Sequence, residues 1–103
     1  MRLRLAQVRD AAAIRALLVR EGVEFEELEM RRLVRFDPRT RVAICATALV
    51  GSTETLIGVG AIELDAGEPD VLHVDQSLTE GLGDLLRAAL IARARTSAGR
   101  NAA

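Results

Sequence analysis

No Trp and no Tyr occur in this chain, and only two Phe, so aromatic chemistry is almost absent. Stacking on nucleobases needs such rings and is nearly excluded. The core must be built from Leu, Val, Ile and Ala. A single cysteine rules out an internal disulfide. Cys45 lies inside an apolar run, where a buried, unreactive thiol is expected. One His and one Cys offer no metal-ligand spacing, so no metal is expected. Charge of one sign is also lacking. Fourteen Lys and Arg face 15 Asp and Glu for a net charge of −1, which gives no bulk attraction to nucleic acid. No apolar run reaches the length of a membrane span, and Met1 is not followed by the apolar region of a signal peptide. No membrane partner is expected, and the cytoplasm is the expected compartment.

What is present suits one globular domain. The chain has 103 residues, 50% apolar and 28% charged, enough for a single core. Residues 1–95 are expected to form that domain and residues 96–103 a small-residue polar tail that frays.

The patterning gives an order of β-α-α-β-β-β-α. Arg2 to Ala6 alternates as a strand. Asp10 is placed to N-cap a helix that ends at Gly22, with Ile14, Leu17 and Leu18 as its inner stripe. A second helix is expected from Glu24 to Phe36, buried through Phe25, Leu28, Leu33 and Phe36. Its acidic residues come first and its arginines last, with Glu27–Arg31 and Glu29–Arg32 pairs one turn apart. Arg41 to Val50 and Leu56 to Leu64 read as a hairpin about Gly51-Ser52-Thr53. Gly58 and Gly60 inside the second strand imply a bulge or a close approach to the backbone. Val71 to Val74 is a third meander strand, and a helix from Asp84 to Arg95 closes the fold. The expected class is α/β in the broad sense, an α+β mixed sheet that is mostly antiparallel.

The segment from Val71 to Leu90 carries the clearest functional signal. An apolar strand leads through Gly81-Leu82-Gly83 into an apolar-periodic helix. Backbone N–H groups and the positive helix end at such a junction favour a phosphate or pyrophosphate. The same glycines would also serve simply to turn the chain.

These motifs together resemble the first two-thirds of the GNAT family of acetyl-CoA-dependent N-acetyltransferases. Arg4-Leu5-Ala6 with Asp10, Ile14 and Leu17-Leu18 resembles the family's opening strand and helix. Leu56-Ile57-Gly58-Val59-Gly60-Ala61-Ile62 resembles its third strand. Leu72-His73-Val74-Asp75, Gly81-Leu82-Gly83 and Leu85-Leu86 resemble its cofactor segment. The sequence departs from the family at Leu78, where an Arg or Gln is usual, and at Gln76, where proline is common. Glu80 adds a negative charge beside the loop. The family's later strands, and the tyrosine that often acts as general acid, have no counterpart here.

The resemblance implies acetyl-CoA as cofactor and an amine as substrate. His73 and Val74 would offer backbone pairing to the pantetheine arm, and Gly81, Gly83 and Asp84 would offer amides to the pyrophosphate. His73 and Glu63 are the candidate bases for removing the amine's proton. A packed strand histidine and a solvent-facing glutamate are the competing explanations for those two. No Ser-His-Asp arrangement follows from Ser52 or Ser77. The final strand's open edge also implies a homodimer. Two functions stay open: a minimal or truncated N-acetyltransferase, or a non-catalytic GNAT-like module for dimerisation, regulation or partner binding.

Overall fold

The computed structural model describes residues 1–75, 77 and 80–102, with side chains described through Ser97. Strand β1 (Arg2–Leu5) leads through a 3-10 turn (Val8–Asp10) into helices α1 (Ala11–Arg20) and α2 (Glu27–Val34). Strands β2 (Arg41–Val50), β3 (Thr53–Glu63) and β4 (Val71–Val74) follow, and helix α3 (Leu82–Ala102) comes last. The four strands make one sheet in chain order, and every neighbouring pair is antiparallel. The class is α+β, and the sheet is wholly antiparallel where a mixed one was expected. Two helices between β1 and β2, in place of a single crossover helix, and tight hairpins thereafter leave no parallel pair.

Both faces of the sheet are covered. On one, Ala43, Cys45, Val59 and Ala61 pack against Ile14, Leu17 and Leu18 of α1 and Met30, Leu33 and Val34 of α2. On the other, Val42, Ile44 and Ile62 pack against Leu86, Leu90 and Ala94 of α3. Burial on both sides explains why β2 is apolar without alternation.

The two strand glycines have separate reasons. Pairing passes from Ala46 with Gly58 to Thr47 with Leu56, which leaves Ile57 as the extra residue of a bulge. At Gly60 the reason is contact. A Cβ there would meet Leu90 Cδ1 at 2.6 Å and the Val71 carbonyl oxygen at 3.1 Å, so glycine lets α3 lie close on the sheet.

Several local readings are corrected. The α1 stripe is as expected, but Asp10 makes no side-chain cap bond to that helix. Its carboxylate instead takes two bonds from Arg4, at 2.7 and 2.8 Å, and one from the Gln7 N–H at 2.7 Å. Helix α2 begins at Glu27 because Glu26 is extended, with φ −96° and ψ 149°. Starting later changes its buried face to Met30, Leu33 and Val34, and leaves Leu28 exposed. Glu27 pairs with Arg15 of α1 and Arg32 with Glu63 of β3, so these charges bridge elements where pairs within α2 were expected. Helix α3 is longer at both ends than Asp84 to Arg95 and runs through much of the expected tail. Ala-rich sequence with no proline permits that extension.

Candidate functional site

The cofactor candidates meet at one corner of the molecule. β4 is an outer strand, paired among the described residues only to β3. The Asp75 N–H donates to the Ile57 carbonyl at 2.7 Å, beyond the Val74–Gly58 pair. Antiparallel alternation then turns the backbone groups of His73 inward to Val59 and those of Leu72 and Val74 outward to the open edge. Backbone pairing at this edge is therefore available from Val74 and Leu72, while the His73 groups are used within the sheet.

Just beyond, Gly81 takes φ +79°, a left-handed value that favours glycine, and turns the chain into α3. The first bond of α3 is from the Leu85 N–H to the Gly81 carbonyl at 3.1 Å. The N–H groups of Leu82, Gly83 and Asp84 precede that bond and have no partner within the helix. Gly83 lies against β4, since a Cβ there would sit 3.9 Å from Val74 Cγ2. The structure thus brings Val74, Gly81, Gly83 and Asp84 together. Leu78 and Gln76, where the sequence departs from the family, lie outside the described residues.

The charge at this corner is negative. Asp84 is in the first turn of α3 and Glu80 is exposed beside it. Asp75 accepts bonds from the Ser77 hydroxyl at 2.6 Å and the Ser77 N–H at 3.1 Å, which hold its carboxyl below the usual range. Arg20 Nε lies 3.8 Å from Asp75, while another Arg20 nitrogen donates to the Leu56 carbonyl at 3.2 Å. The helix end attracts anions and the carboxylates repel them.

His73 is half-buried, and its side chain lies on the opposite face of the sheet, toward α1 and α2. It borders two adjoining hollows. One, of about 50 Å³, is walled by apolar residues that include Leu18, Phe25 and Met30, together with Glu24 and Glu29. The other, of about 250 Å³, holds Glu29, Arg32, Arg41 and Asp70. Glu29 borders both hollows and forms no ion pair among the described residues.

The two candidate bases are not brought together. Glu63 closes β3, where its Oε1 accepts bonds from Arg41 at 2.7 Å and from Arg32 at 3.3 Å. Two guanidinium groups on one carboxylate oxygen fit a structural clamp better than a proton acceptor. Arg41 also donates to Asp70 at 2.9 Å and is itself buried, with Nε lacking a hydrogen-bond partner among the described residues. Sequence reasoning missed Glu29, Arg41 and Asp70. The one available signal was an arginine heading an otherwise apolar strand.

Cys45 behaves as expected. Burial pushes its thiol up to about 12, so it is no nucleophile near neutral pH. No cluster of metal-binding side chains occurs among the described residues, and no helix among them is long and apolar enough to cross a membrane. Comparison of the chain with protein-family models, with curated proteins and with solved structures returned no match.

Proposed function

We propose that the chain is a GNAT-like N-acetyltransferase of low cofactor affinity. The open edge of β4 and the start of α3 would hold acetyl-CoA, and the His73 hollows would hold an amine. The observation that carries this reading is continuity. The outward groups of Leu72 and Val74 lie on the strand against which Gly83 packs, beside the N–H groups of Leu82, Gly83 and Asp84 that have no partner within the helix. A pantetheine arm carries amides that pair with a strand edge, and a pyrophosphate suits a helix start. Those residues fit the arm better than the pyrophosphate, because Glu80 and Asp84 oppose a polyanion.

Acetyl-CoA, when bound, supplies an acyl group activated as a thioester. The chain's own part is to orient the amine and to take its proton. Glu29 attracts the ammonium form, the apolar hollow beside Phe25 receives its carbon chain, and His73 removes the proton.

The alternative is a non-catalytic GNAT-like module. The carboxylates at the start of α3 and the clamped Glu63 favour it, and the β4 edge would then pair with a second copy as a homodimer. Thermal unfolding with acetyl-CoA and with CoA separates the two. Circular dichroism is the probe, because the chain has no Trp or Tyr. A ligand that binds only the native state raises its melting temperature. A rise with millimolar ligand supports the acetyltransferase, and no rise leaves the module. Leu78→Arg with Glu80→Gly should enlarge the rise. The added donor and the removed like charge together tighten CoA about tenfold, the effect of one bond to a charged group.

A further inference from the structure

A basic hollow lies away from the β4 edge and independent of it, between β1, the 3-10 turn, the start of α1 and the hairpin of β2 and β3. Its volume is about 260 Å³, and Arg2, Arg4, Arg9, Asp10, Thr47 and Glu54 are among its walls. Arg2 and Arg4 stand two apart on β1 and share a face of the sheet. Arg9 comes from the 3-10 turn.

The charges there do not balance. Arg4 and Asp10 neutralise each other through two hydrogen bonds. Glu54 accepts the Thr47 hydroxyl at 2.9 Å and leaves one carboxylate against two arginines. Neither Arg2 nor Arg9 forms an ion pair among the described residues. Three arginines against two carboxylates give the hollow one surplus positive charge, in a chain whose net charge is negative.

A second hollow, of about 230 Å³, shares Arg2, Thr47 and Glu54 with the first and continues toward the hairpin tip, where Met1 and Leu49 form its wall. Leu49 is 73% exposed, although it lies two residues along β2 from buried Thr47 and on the same face. Side by side, the two hollows form a groove with Arg9 at one end and the apolar side chains of Met1 and Leu49 at the other, and with Arg2 and Glu54 bordering both parts.

We infer that this groove binds a monocarboxylate with a short aliphatic chain. The carboxylate lies between Arg2 and Arg9, which have donors to spare, and the chain runs along Met1 and Leu49. A single surplus charge matches a monoanion. A phosphate dianion would set its second charge against Glu54.

Equilibrium dialysis with labelled hexanoate tests this, with acetate, hexylamine and inorganic phosphate as competitors. Hexanoate should bind in the millimolar range, more tightly than acetate or phosphate, and hexylamine should not compete. Arg9→Glu reverses the surplus charge at an exposed position and should weaken hexanoate at least tenfold. Leu49→Ser should weaken hexanoate several-fold and leave acetate unchanged. Circular dichroism checks that each variant is folded, and Arg2→Gln replaces Arg9→Glu if the latter is not. The inference is overturned if millimolar hexanoate does not bind, if the charge variant binds it equally well, or if phosphate or hexylamine competes as strongly as hexanoate itself.

Discussion

Gly60→Val is expected to destabilise the protein by about 3 kcal/mol or more, the upper part of the range for overpacking a filled core. The first added carbon already falls 2.6 Å from Leu90 Cδ1, 3.1 Å from the Val71 carbonyl and 3.2 Å from Leu72 Cδ1. Leu90 can rotate away from one methyl group, so Gly60→Ala should cost less, about 1–2 kcal/mol. Valine adds two further carbons beneath α3, and the Val71 carbonyl belongs to β4 backbone and cannot rotate. Urea denaturation followed by circular dichroism measures both variants. Leu90→Ala alone should cost about 2–5 kcal/mol by leaving a cavity. In the double variant the new valine fills part of that space, so the combined loss should fall short of the sum. Strict additivity would show that α3 is not held against Gly60.

Asp10→Asn is the second large effect, expected at about 2–3 kcal/mol near neutral pH. The carboxylate is buried, and it receives both Arg4 nitrogens and the Gln7 N–H. Asparagine keeps the shape but cannot accept the paired Arg4 bonds on two anionic oxygens, and each bond to a charged group contributes about 1.5–3 kcal/mol. Arg4 also lines the basic hollow and is partly exposed there, which keeps the expected loss within that range.

The pH dependence has a definite sign. The Arg4 hydrogen bonds first, and then the Gln7 N–H and the Arg4 and Arg9 charges, hold the Asp10 carboxyl below its ordinary 3.8 against the effect of burial. A carboxyl with a lowered folded value contributes stability that is present above its unfolded value and lost as pH falls through the folded one. Wild-type stability should therefore drop as pH is lowered below about 4. The Asp10→Asn difference should shrink over that same interval. A difference that stayed constant into acid would mean that the Arg4–Asp10 pair contributes nothing.

The sequence made some of this architecture legible, for identifiable reasons. Ile14, Leu17 and Leu18 repeat at helical spacing, and all three are buried in α1. The paired strands about Gly51 were readable from the same local signals, and Gly51 takes φ +66° at the turn. Gly58 and Gly60 announced an irregularity, yet which of them marks the bulge and which admits α3 depends on a neighbour distant in sequence. Helix α2 was misphased because Glu24 and Glu26 resemble a helical first turn, although both precede the helix and Glu26 is extended. Ion-pair partners were least legible. Arg41 with Glu63 and Asp70, and Arg32 with Glu63, join residues that only the sheet register brings together.

The candidate site divides in the same way. An open β4 edge followed by a glycine turn could be read from the order of elements. Which backbone groups point outward could not, because that follows from pairing parity. Neither could the side of the sheet on which His73 lies, nor the carboxylate and guanidinium groups that surround it.

The most direct test of the acetyl-CoA reading is an amide NMR titration of the wild-type chain with CoA. Millimolar CoA should shift the amides of Leu72, Val74, Leu82, Gly83 and Asp84 as one group, while those of Arg2, Arg9 and Leu49 stay in place. If the β4 edge and the start of α3 do not respond, or if the shifts fall only on the basic hollow, the acetyl-CoA reading is contradicted.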